Sequence, residues 1–122
     1  MSGDYKFGIE EEYFLVDAET KSVSREMPES FLTEVKSVTG GQAMGEMLQS
    51  QIEVMTIPHT DIAEARMELK FLRQTVARVA AKHGLAIFAA GTHPTATWAG
   101  ARQTEGERYD AVMEDLQMIG QR

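Results

Sequence analysis

Hydrophobic and polar positions repeat along this chain with periods that change from segment to segment, and the changes mark its elements. Residues 5–16, YKFGIEEEYFLV, are dense in aromatic and β-branched side chains and stop at the polar run Asp17-Ala18-Glu19-Thr20-Lys21, which predicts a strand and a turn. A short return strand is expected over residues 22–25. Pro28 followed by Phe31, Leu32, Val35 and Val38 predicts a short amphipathic helix with Pro in its first turn, ended by Gly40-Gly41 and covering one face. Over residues 46–56, EMLQSQIEVMT, parity places Leu48, Ser50, Ile52 and Val54 on one side and Gln49, Gln51 and Glu53 on the other. That is a strand with a core face and a polar face, closed by Pro58.

The helical period is clearest over residues 60–83, where Ile62, Ala65, Leu69, Leu72, Val76 and Val79 form a stripe. Asp61 with Glu64 resembles a capping box, and Gly84 stands where a left-handed C-cap is wanted. Residues 85–91, LAIFAAG, are a continuous apolar run of strand length, the pattern of a strand buried on both faces. Residues 92–105 read as a loop holding Trp98. Residues 106–122 return to helical spacing through Tyr109, Val112, Met113, Leu116 and Ile119. Strands alternate with helices, but the first two strands carry polar faces. The expected class is therefore α+β, with a mostly antiparallel sheet, helices packed on one face and the other face open.

Composition narrows the partners. A length of 122 residues suits one domain, or part of a larger one, and 43% hydrophobic with 25% charged residues excludes a disordered chain. The net charge of -7 argues against a nucleic-acid backbone or an anionic membrane as the main partner. A phosphate ligand would need a local cation. The chain has no cysteine, hence no disulfide and no thiolate metal site, which fits a reducing compartment. Nothing resembles a signal peptide, and the longest apolar run is too short to span a bilayer, so a cytoplasmic protein is expected. The glycines form no phosphate loop with its lysine.

Candidate chemistry concentrates in the stretch GIEEEYF. In a strand, Glu10 and Glu12 project from one face with Cα atoms about 6 to 7 Å apart, while Glu11 points the other way. Two carboxylates on one sheet face can bracket a hard divalent cation, and magnesium is held by one or two carboxylates together with nucleotide phosphates. If the second polar strand is a neighbour, Glu53 and Glu46 join them. On spacing alone, however, an E-x-E pair is more often the solvated side of a sheet. His93 is a ligand, a base, or a loop residue hydrogen-bonded to backbone. His59 and His83 read as structural, Arg102 and Arg108 as phosphate clamps or solvated charges, and the methionines as core filling.

The blocks FGIEEEYFLVD, EMLQSQIEVMTIP, TDIAEAR, AAGTHPTATW and GERYDAVMEDLQMI, taken in order, resemble the N-terminal part of the bacterial carboxylate-amine ligases, also called glutamate-cysteine ligase type 2. The resemblance implies an incomplete glutamine synthetase-like catalytic domain and an ATP- and magnesium-dependent ligase. Such an enzyme phosphorylates the γ-carboxyl of glutamate, and an amine such as that of cysteine then displaces the phosphate. It also implies that Glu10, Glu12, Glu46 and Glu53 hold Mg²⁺ against ATP. Gly91, Thr92, His93 and Pro94, with Glu107, Arg108 and Tyr109, would shape the substrate side. The implied partners are ATP, glutamate and an amine; a homo-oligomer is expected on separate grounds, from an unpaired sheet edge. Because members of that group are longer, the chain by itself is not expected to turn over ATP. The alternative is a non-catalytic module that self-associates through an open sheet edge.

Overall fold

A computed structural model describes residues 5–24, 26–46 and 50–97. The EEEYFLVD run forms β1 (Glu10–Asp17), and it ends where Asp17 Oδ1 accepts the N–H groups of Glu19 and Thr20, turning the chain. The expected return strand reduces to one antiparallel bridge between Val16 and Val23. Helix α1 (Glu29–Val38) follows Pro28 and stops at Gly40 and Gly41, whose φ values of 60° and 85° suit glycine.

After that stop come β2 (Ala43–Gly45), a three-residue strand with no period long enough to read in the sequence, and β3 (Gln51–Met55). Helix α2 (Ile62–Lys82) begins at Asp61, whose side chain accepts from the N–H groups of Ala63 (2.6 Å) and Glu64 (3.3 Å). It closes before Gly84 at φ 68°, and β4 (Leu85–Ala89) follows.

The strands form one antiparallel sheet in the order β2-β3-β1-β4. This is the expected α+β class, with helices on one side of a sheet. Tyr13 and Leu15 of β1 and Ile52 and Val54 of β3 point to the helices and pack on Phe31 and Val35 of α1 and Leu72, Val76 and Val79 of α2. Leu85 and Ile87 of β4 pack at the margin of this core. A sheet covered on one side leaves the alternate residues, Glu10, Glu12, Gln51 and Glu53 among them, on the open side.

Two expectations are corrected. Strand β4 is not buried on both faces: among the described residues it lies at the sheet edge with only β1 beside it, and Phe88 is 40% exposed. Its apolar run reflects one face against the helices and a second face on which Phe88 meets the His93 ring while staying partly exposed. Ile62, counted in the α2 core stripe, is 68% exposed at the first residue of the helix. The predicted helix over residues 106–122, Trp98, and Leu48 and Gln49 lie outside the described residues.

Candidate functional site

The open face is built by strand register. Glu12 of β1 stands directly opposite Glu53 of β3, Glu10 is opposite Met55, and Met44 of β2 flanks Glu53 on its other side. Directly opposed residues bring their Cβ atoms to about 4.5–5.5 Å, a placement in which like charges are destabilising. Beyond β2, the Glu46 N–H donates to the Gln51 carbonyl at 3.3 Å, tying that acid to the same margin.

The electrostatics report the convergence. Partial burial and then the charges of Glu10, Glu46 and Glu12 push the Glu53 carboxyl above its ordinary value, and a hydrogen bond with Glu10 adds to the rise. The face thus brings together Glu10, Glu12, Glu46 and Glu53, the acids that the sequence singles out. Among the described residues no ion pair reaches Glu10, Glu12 or Glu53. Their negative charge therefore has no fixed cation among those residues. Nor does any set of three or more His, Asp or Glu side chains among them close into a ready metal cage. The carboxylates share a face in electrostatic reach of one another, and do not surround a single point.

Glu11 behaves differently because it points to the helices. Its carboxylate accepts from Arg73 Nε of α2 at 3.1 Å, from a second Arg73 nitrogen and from the Tyr13 hydroxyl. Burial works against ionisation of Glu11, but Arg73 and Tyr13 outweigh it and hold the carboxyl below its usual range. The Tyr13 phenol is pushed up to about 12, by burial first and by its bond to Glu11 next. The middle acid of the triplet is thus a structural tie, and Arg73, 62 positions away, gave no local signal of it.

At the other end of the face, the loop after β4 folds His93 inward. Its ring is buried and meets Phe14 and Phe88 edge-on, with centroids 5.7 and 5.6 Å away. Nδ1 accepts the Thr95 N–H at 3.2 Å, so in the neutral ring the proton sits on Nε2. Of the readings open for this histidine, the loop residue hydrogen-bonded to backbone describes what is seen. Glu10, Glu11, Glu12, Ala89, Ala90 and Gly91 line one shallow depression, which places the start of the Gly-Thr-His-Pro segment beside the acids of β1. Thr92 is exposed. Arg102, Glu107, Arg108 and Tyr109 lie outside the described residues. Sequence reading missed the acid-imidazole pair behind the sheet, Glu68 of α2 with His59, in which Glu68 also bonds Gln42 before β2 and Ile57 in the loop after β3.

Comparison with known proteins adds a family to this geometry. No solved structure matches the chain. A protein of Bradyrhizobium sp. (strain ORS 278) described as "Putative glutamate--cysteine ligase 2" is 54% identical over 119 residues, covering 98% of this chain and 29% of its own length. The protein of the same description from Bradyrhizobium diazoefficiens is 50% identical over 121 residues, 99% of this chain and 28% of its own. That from Ruegeria pomeroyi is 42% identical over 122 residues, all of this chain and 32% of its own. The chain therefore spans about 30% of the length of these relatives, at their scale an N-terminal fragment. The profile of the glutamate-cysteine ligase family 2 (GCS2) matches residues 6–122, nearly the whole sequence, and the chain belongs to that family.

Proposed function

We propose that this chain is the acid-bearing N-terminal portion of the catalytic domain of an ATP- and magnesium-dependent carboxylate-amine ligase. The reaction would join the γ-carboxyl of glutamate to an amine such as that of cysteine. The observation that carries this reading is the raised Glu53 carboxyl, set among Glu10, Glu46 and Glu12 on an open sheet face. An all-oxygen donor set, in which Glu10, Glu12 and Glu53 meet no fixed cation among the described residues, suits a hard cation, and magnesium keeps several waters and takes only one or two carboxylates plus substrate phosphates. A face that does not close into a cage fits such an ion, since phosphates and water complete its shell.

Glu10, Glu12, Glu46 and Glu53 would hold the ion. When bound, it would attach ATP to a chain of net charge -7 and neutralise the charge that develops on the transferred phosphoryl group. His93, wedged between Phe14 and Phe88, anchors the loop that carries Thr92, and Gly91 at its start lines the depression beside Glu10 and Glu12, the side on which substrate would lie. No protein nucleophile is needed for acyl-phosphate chemistry, which accords with a chain lacking cysteine.

Calorimetric titration of the chain with magnesium and ATP tests the assignment. Binding is expected in the wild type and lost in Glu10→Ala and Glu53→Ala, with no ATP turnover by the chain alone. Equal binding in all three proteins would falsify the site.

The exposed apolar edge favours a second reading, a module that self-associates. Strand β4 has a free edge among the described residues and presents Phe88 and Ala89. Sedimentation should then show dimers at micromolar concentration that Phe88→Lys converts to monomers. A monomeric wild type would count against this reading and leave the first intact.

A further inference from the structure

Acids placed opposite one another push their strands apart, so the face needs support from behind. That support has a centre. Ahead of β1, the Phe7 N–H donates to the His59 carbonyl (2.9 Å) and the His59 N–H to the Phe7 carbonyl (2.8 Å). The Ile9 N–H donates to Thr56 Oγ1 at 2.9 Å, and the Thr56 N–H donates to the Ile9 carbonyl at 2.9 Å. On the other side of β3, the Met55 N–H donates to the Gln42 carbonyl (2.9 Å), and Gln42 Nε2 donates to the Met55 carbonyl (3.1 Å). Both stitched margins lie at the end of β3 that follows Glu53, next to the start of β1 at Glu10 and of β2 at Ala43.

One side chain of α2 reaches both. Glu68 Oε1 accepts from Gln42 Nε2 at 2.6 Å and from the Ile57 N–H at 3.3 Å, while Oε2 accepts from His59 Nε2. A carboxylate can only accept, so His59 carries its proton on Nε2 toward Glu68. The His59 and Glu68 side chains are 10% and 18% exposed, shielded enough for these bonds to have little competition from water. The geometry points to Glu68 as a positioning residue of the acidic face, acting through His59 and Gln42 to fix the adjoining ends of β1, β2 and β3. Removing it frees those ends to yield to the repulsion among Glu10, Glu12 and Glu53. The inference rests on the proposed cation-binding role of the face, and its mechanical part can be read separately.

The test uses the chain with Mn²⁺ alone as the probe, by calorimetry, together with amide hydrogen exchange followed by NMR. Glu68→Ala is expected to weaken Mn²⁺ binding about tenfold, the scale of a lost supporting partner behind a metal ligand. Glu68→Gln keeps an acceptor for Gln42 and Ile57, and its amide N–H can donate to His59 once the imidazole carries its proton on Nδ1, so binding should stay within about twofold of wild type. Val79→Ala lowers core stability far from these bonds and should leave affinity unchanged. Gln42→Ala, which removes one arm only, should lose about threefold and serves if Glu68→Ala does not fold. Exchange should quicken at Phe7, Met55, Thr56 and His59 in Glu68→Ala before it quickens between β1 and β4. Unchanged exchange at those amides overturns the inference, as does equal loss of affinity in Val79→Ala. If the wild type binds no Mn²⁺, the cation reading fails and the exchange pattern alone decides whether Glu68 holds the strand ends.

Discussion

Within GIEEEYF, neighbouring glutamates have opposite fates because the strand alternates. Glu11 faces α2 and meets Arg73 and Tyr13, so its charge is matched, whereas Glu10 and Glu12 face Glu53. Arg73→Ala should cost about 1 kcal/mol by urea denaturation, more than an isolated surface pair because Glu11 and the Tyr13 hydroxyl would lose a shared, partly buried partner. The same carboxylate gives a pH dependence. Its folded-state pKa is lowered, so its contribution is present above the ordinary glutamate range and is lost as pH falls through that range; Arg73→Ala should flatten this acid limb. Thr75 makes the opposite case. It is buried on α2, and its hydroxyl has no hydrogen-bond partner among the described residues. Thr75→Val replaces an unsatisfied oxygen with a methyl group and should stabilise by about 1 kcal/mol, read as a higher urea midpoint. Thr75→Ser, which keeps the oxygen and drops the methyl, should do the reverse.

Elements depend on local signals only where those signals are complete. Helix α2 has a cap at Asp61, a stripe of period 3.6 and a left-handed stop at Gly84, and it forms within a residue or two of the expected limits. Asp61→Ala should cost about 1 kcal/mol in thermal unfolding, since two N–H groups of the first turn lose their acceptor. Helix α1 was legible for the same reason, from Pro28 at its start to Gly40-Gly41 at its end. Strand β2 was not, because three residues are too few to show a period. The apolar run of β4 was legible as a strand but not as an edge, because order in a sheet is decided by pairing between distant segments. The site divides along the same line. Parity alone puts Glu10 and Glu12 on one face, but the opposition of Glu12 and Glu53 is a matter of register between strands 41 residues apart. The Glu68 ties were unreadable, since they join an α2 residue to Gln42, Ile57 and His59 through tertiary contact alone.

At the scale of the molecule, the open face sets stability against binding. A face that gathers Glu10, Glu12, Glu46 and Glu53 adds self-repulsion to a chain already at net charge -7. Glu53→Gln should therefore stabilise the metal-free protein while removing a cation ligand, a trade typical of functional sites. The pH dependence distinguishes this from a neutral surface change. The folded-state pKa of Glu53 is raised, so the folded chain holds its proton more tightly than the unfolded one, and the resulting stability is present in acid and lost as pH rises through the carboxylate range. The melting temperatures of wild type and Glu53→Gln should hence nearly coincide at about pH 4 and separate in favour of the mutant toward neutrality. Added magnesium should reverse the order at neutral pH, because a ligand that binds only the folded state raises the wild-type melting point and finds a weakened site in the mutant. A solvated face with no ligand would give the first behaviour without the second, so the crossing of the two melting curves with magnesium is what separates a binding face from a merely acidic one.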